Sequence, residues 1–154
     1  MGQIIDRRSI LGICVGSAAG AALLVSGKQS YAAGTAFKAD LKGSSEVPPN
    51  TTAGTGSVTA NYDPATKTLT WSGTFSGLTG PATAAHFHGP AEPGKNAGVA
   101  IWISEKGKPF ESPFKGSATL TEAQASDLMN GQWYVNIHTK ANPGGEIRGQ
   151  VEKS

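Results

Sequence analysis

The chain reads as an all-β protein, an antiparallel β-sandwich or flattened Greek-key barrel of seven or eight strands with one short helix. Short apolar/polar alternations of period two recur from Phe37 onward. Clusters of Gly, Pro, Asn and Asp separate them, with 21 glycines in the whole chain. Only one stretch carries helical signals, which suits a strand-dominated fold.

The elements follow in order. "AFKADLKG" sets Phe37, Ala39 and Leu41 against Lys38, Asp40 and Lys42, the pattern of a half-buried strand. "SSEVPPNTTAGTG" is a loop, because paired prolines exclude an inner strand. "SVTANYD" puts Val58, Ala60 and Tyr62 on one face, "DPATK" turns the chain, and "LTWSGTFSGL" returns with Leu69, Trp71, Gly73 and Phe75 inward, the clearest hairpin in the sequence. A strand over "AAHFHGPA" and the loop "EPGKNAG" lead to "VAIWIS", which is apolar on both faces and is expected at the centre of a sheet. "FKGSATL" is a further strand. "LTEAQASDLMNG" is the helix, a connector between strands, with Thr121 and Gln124 as a capping box and Gly131 ending it with positive φ. "QWYVNIHT" and "GEIRGQVE" are the last strands, joined through the turn at Pro143-Gly144.

Residues 1–32 are expected to be a signal peptide. Arg7-Arg8 precede an apolar run from Ile10 to Val25, and Ser30-Tyr31-Ala32 presents small residues where a signal peptidase cuts. The paired arginines fit a twin-arginine signal, which would export the protein already folded. The run is shorter than the roughly 20 residues of a bilayer span, so no stable membrane span is expected after cleavage. Cys14 is the only cysteine, and Ile13 before it disfavours a lipoprotein box. Residues 33–154 then form a single domain with no thiol, in which any metal must be held by imidazole or oxygen.

The sequence has 13 basic and 11 acidic side chains, of which Arg7, Arg8, Lys28 and Asp6 fall in the leader, leaving ten of each in the domain. A neutral domain gives no reason to expect nucleic acid as a partner. The sequence also lacks a Gly-x-Ser-x-Gly elbow and a phosphate-cradling glycine loop, so an enzyme here would need a metal.

Two of the three histidines lie one residue apart, His86 and His88, and the third is His138. Strand alternation turns His86 and His88 away from Phe87, and His138 and Asn136 away from Trp133, Val135 and Ile137. The better core formers are Phe87 and the Trp133 set, so all three histidines belong to polar faces and converge if the two strands are neighbours. Three imidazoles suffice for copper or zinc with one position open. The competing reading is a hydrogen-bond network that binds nothing and sets strand register. Asn136, Glu146 and Arg148 would support either arrangement. Glu146 is expected to pair with Arg148 or a neighbouring strand rather than to ligate.

Taken together, "FKADLKGSSEVPPNTTAGTG", "TAAHFHGPA", "LTEAQASDLMNGQWYVNIHT" and "NPGGEIRGQV" resemble the CHRD domain, first described in chordin and found in microbial secreted proteins. The resemblance runs from about Phe37 to Val151 and implies a single-domain bacterial secreted member, periplasmic or extracellular. Chordin's cysteine-rich growth-factor modules have no counterpart in this chain. The His-x-His strand is also distantly similar to the copper-binding strand of Cu/Zn superoxide dismutase, although the disulfide cysteines and the full histidine complement are missing. The expected function is a secreted binding protein holding a transition-metal ion through His86, His88 and His138. The alternatives are a structural or interaction module of the cell envelope, or a metal-dependent redox enzyme.

Overall fold

The computed structural model describes residues 34–154. The expected leader and Cys14 lie outside the described residues. The strands are β1 (Thr35–Lys42), β2 (Thr55–Asp63), β3 (Thr68–Ser76), β4 (Ala82–His88), β5 (Val99–Trp102), β6 (Phe114–Thr119), β7 (Tyr134–Thr139), β8 (Ile147–Gln150) and the two-residue β9 (Glu152–Lys153), with one α-helix, α1 (Glu122–Met129), and a single 3-10 turn at Gly43–Ser45. They run in the order β5-β4-β7-β8-β1-β2-β3-β6, with β9 beside β1. All pairings are antiparallel, and the sheet is nearly closed into a barrel.

The β2–β3 hairpin has the expected form, with register from Thr55↔Ser76 to Asp63↔Thr68. At its turn the Asp63 carboxylate accepts from the backbone N–H of Ala65 at 2.8 Å, the local bond that makes Asp a turn former. The helix is also as expected. The Thr121 hydroxyl accepts from the Gln124 N–H at 3.2 Å, the Gln124 side chain accepts from the Thr121 N–H at 2.9 Å, and Gly131 takes φ +72°.

Inward-facing residues from every long strand fill the barrel. Phe37, Leu41, Leu69, Phe87, Val135, Ile137 and Ile147 are buried in one cluster. Trp71 stands edge-on to Phe87 at 5.3 Å between ring centroids, and Trp133 lies 5.8 Å from Phe87 on its other side. Because β3 and β4 are not sheet neighbours, this aromatic row ties together parts of the barrel that share no ladder. Gly73, expected inward, leaves its place in the core to a neighbour: a Cβ there would overlap the Phe114 ring.

The expectation for "VAIWIS" is corrected. β5 lies at an end of the sheet order, not its centre. Val99 and Trp102 are 44% and 48% exposed. Ile101 and Ile103 pack on the core, whereas Trp102 sits opposite His86 on the outer face. Two apolar faces therefore arise here from a core on one side and a histidine ring on the other. The Gln124 side chain donates to the Ala100 carbonyl at 3.2 Å, so α1 covers part of this edge.

Phe87 has no exposed surface and joins the two tryptophans. Phe87→Ala is expected to cost about 3–5 kcal/mol of stability, read from urea denaturation. A loss below 1 kcal/mol would show that the aromatic row is not central to the core.

Candidate metal centre

The histidine positions follow from register. In the β4–β7 ladder His86 faces Asn136, His88 faces Tyr134 and Ala84 faces His138, and in β7–β8 Asn136 faces Arg148. His86, His88, Tyr134, Asn136, His138 and Arg148 thus form a patch on one face of three adjacent strands. The face is polar, as alternation requires, but it is not a solvent face: His86, His88, Asn136 and Arg148 are 6%, 9%, 3% and 2% exposed.

Two loops cover it. From residues 89–98, the Ala97 carbonyl accepts from His88 Nδ1 at 3.0 Å, the Asn96 side-chain oxygen accepts from an Arg148 guanidinium N–H at 2.8 Å, and the Lys95 carbonyl accepts from another at 2.5 Å. From residues 43–54, the Val47 carbonyl accepts from the Asn96 side chain at 3.1 Å, joining the loops to each other. The Arg148 guanidinium lies 3.4 Å over the Tyr134 ring, whose other neighbour is the His88 ring, stacked at 4.8 Å and 3°. The Trp102 indole stands perpendicular to the His86 ring at 4.2 Å.

The three imidazoles come together. One nitrogen from each lies within 4.8 Å of the others, and His86 Nδ1 is 3.1 Å from His138 Nε2. Nitrogens sharing an ion at about 2.0–2.1 Å sit roughly 3–4 Å apart, so the His86 Nδ1–His138 Nε2 distance serves an ion when His86 carries its hydrogen on Nε2 and a hydrogen bond when it carries it on Nδ1.

Backbone acceptors set the tautomers. A carbonyl only accepts, so His88 Nδ1 carries hydrogen toward Ala97, and His138 Nδ1 carries hydrogen toward Pro143 at 2.9 Å. Neutral His138 then has a lone pair on Nε2, His86 Nδ1 donates to it, and His86 Nε2 is bare. His86 Nε2 and His88 Nε2 are both buried without a hydrogen-bond partner. Burial, followed by the neighbouring His138 and His88, lowers the His86 pKa to about 4. Burial likewise lowers His88 and His138 below the usual imidazole value. Near neutral pH the cluster is uncharged and offers lone pairs, the state a metal requires.

Of the two pairings expected for Glu146, the one with Arg148 does not form and the one with a neighbouring strand does, through Thr139 of β7. The Glu146 side chain is fully buried and accepts from five donors: the Thr52 hydroxyl at 2.7 Å, the Thr79 N–H and hydroxyl at 2.7 Å each, the Thr139 hydroxyl at 2.5 Å and the Asn142 amide at 3.1 Å. Burial raises its pKa, and the hydroxyl and N–H donors override that, bringing it to about 2. It joins three loops at one end of the barrel and contributes nothing to the histidine cluster.

Glu46 is a buried residue of this face that alternation did not reveal. It is 5% exposed, its Oε1 has no partner, and burial pushes its carboxyl up to about 7 against the lowering influence of Arg148 and the Val47 N–H. It lies in the "SSEVPPN" loop, where no periodicity assigns a face. Elsewhere, a cleft of about 850 Å³ lined by Phe75, Leu78, Pro81, Pro109 and Phe110 contains no histidine.

The family model of the CHRD domain matches residues 37–151, most of the chain. This chain belongs to the CHRD domain family. No curated protein and no solved structure matches it. The histidine pair, the helix and the final hairpin of this CHRD domain all lie inside the matched span.

The acid response follows from the shifts above. His86 has a folded pKa below the ordinary value of 6.5, so its contribution is complete above pH 6.5 and lost as pH falls toward about 4. Glu146 is likewise below its ordinary 4.5, so its contribution is lost between pH 4.5 and about 2. Glu146→Gln is expected to cost about 2–3 kcal/mol at neutral pH, since it weakens bonds to a buried ion. It should also flatten the lower limb of the melting-temperature profile. An unchanged melt at pH 7 would show that the five-donor arrangement is energetically idle.

Proposed function

We propose that this CHRD domain is an exported protein that binds a transition-metal ion, copper or zinc, through His86, His88 and His138. The observation that carries the reading is the convergence of all three imidazoles with two buried Nε2 lone pairs left unpartnered. A purely structural network would leave fewer buried acceptors unsatisfied. Two distal nitrogens are already held by carbonyls, at Ala97 and Pro143, an outer-shell arrangement typical of metal-bound histidines. Tyr134 and Arg148 hold the plane of His88 from behind.

Export is supported by the leader pattern in residues 1–32 and by the family's association with secreted proteins. Among the described residues no helix is long and apolar enough to cross a membrane.

Calorimetric titration of metal-stripped protein with Zn²⁺ and Cu²⁺ is expected to show one site per chain. His88→Ala should weaken it at least a hundredfold, as expected when one of three ligands is removed. Cu²⁺ should quench indole emission, and Trp102→Phe should remove most of that quenching, because Trp102 adjoins His86. Titration heat unaffected by His88→Ala would sink the three-histidine reading. Mass spectrometry of the exported protein is expected to place its N-terminus at Ala33, and an intact Met1 would contradict cleavage.

A further inference from the structure

The buried polar face has an imbalance that three histidines do not use up. Six buried side-chain polar atoms lack a partner among the described residues: Glu46 Oε1, His86 Nε2, His88 Nε2, Asn136 Oδ1 and the indole N–H groups of Trp71 and Trp133. The two indoles belong to the core cluster. The other four belong to the histidine face, and His86 Nε2, His88 Nε2 and Asn136 Oδ1 are acceptors in the tautomers set by Ala97 and Pro143.

Asn136 is the middle of this set. It faces His86 across the ladder, and its side chain also approaches His88. His88 Nδ1 is committed to the Ala97 carbonyl, so the lone pair on His88 Nε2 and the Asn136 oxygen have no hydrogen between them. The amide nitrogen lies on the Gly145 side of the residue. A Cβ at Gly145, which holds φ +133°, would overlap the Glu46 carboxylate oxygen and come within 2.8 Å of Asn136 Nδ2. Gly145 thus lies beside both the Glu46 carboxyl and the Asn136 amide nitrogen, and Glu46 Oε1 makes no hydrogen bond to that amide. The buried Oδ1 of the same amide is left without a partner.

Buried acceptors without donors are costly, and a cation held by the imidazoles and the Asn136 oxygen relieves His86 Nε2, His88 Nε2 and Asn136 Oδ1 at once. We propose that the Asn136 amide oxygen is the fourth donor atom of the centre, making a three-imidazole, one-amide set suited to divalent zinc or copper. This rests on the three-histidine reading. The oxygen donor is hard, so it favours divalent ions over monovalent copper, which imidazoles alone satisfy.

The test is selectivity. Zn²⁺ and Cu²⁺ are titrated into wild type, Asn136→Ala, Asn136→Asp and His88→Ala, and Cu⁺ is measured by competition with a chromophoric chelator. Asn136→Ala is expected to weaken both divalent ions tenfold or more while leaving Cu⁺ within twofold. Asn136→Asp, nearly isosteric, should tighten the divalent ions and change the Cu²⁺ electron paramagnetic resonance spectrum. Equal losses for Cu⁺ and the divalent ions would make Asn136 a positioning residue and overturn the fourth donor. So would divalent affinity unchanged in Asn136→Ala. If that variant does not fold, an unchanged Cu²⁺ spectrum in Asn136→Asp overturns it. In these cases a large loss in His88→Ala leaves the three-histidine reading standing, whereas no loss there removes both.

Discussion

The pairing of β4 with β7 sets everything that happens on the polar face. Because side chains alternate with a period of two, the register that places His88 opposite Tyr134 and His86 opposite Asn136 also places His138 on the same side. A slip of one residue in β7 would bring Trp133, Val135 and Ile137 out of the barrel and take His138 into it. The register is therefore held by the core: Phe87 from β4 and the Trp133–Val135–Ile137 row from β7, all without exposed surface, leave only one register that buries both. Hydrophobic burial on one side of the sheet thus positions imidazoles on the other.

The polar side owes its chemistry to being covered. Imidazoles on an open sheet would titrate near their ordinary values and hydrogen-bond to water. Beneath residues 43–54 and 89–98 they lose water, become harder to protonate, and retain bare lone pairs. The loops are themselves anchored by charge. Arg148 reaches Asn96 and Lys95 while lying on Tyr134, and Glu146 gathers hydroxyl and amide donors from three loops at the barrel end. Each ion is satisfied by neutral groups of the loops, so Glu146 and Arg148, one residue apart on the same strand face, never meet.

Much of the fold was legible because it rests on local periodicity. The β2–β3 hairpin, the capped helix and the inward set of Phe37, Leu69, Phe87 and Ile137 follow from alternation, turn residues and capping chemistry. β5 misled for the same reason. An apolar strand of four residues fits a central strand or an edge strand whose outer side chain covers a histidine, and alternation does not distinguish them. Glu46 was invisible because loop residues have no period to assign them a face, and its place beside Gly145 joins segments far apart in the chain.

The sequence by itself determined that His86, His88 and His138 share the side of their strands that Phe87, Val135 and Ile137 do not, since covalent geometry alternates side chains whatever the neighbours. Only the tertiary structure decided that β4 and β7 are adjacent, that loops enclose the histidines, and that Glu146 turns away from Arg148 while Glu46 turns in. Those outcomes depend on which surfaces exclude water together, and that is a property of the assembled barrel rather than of any stretch of chain.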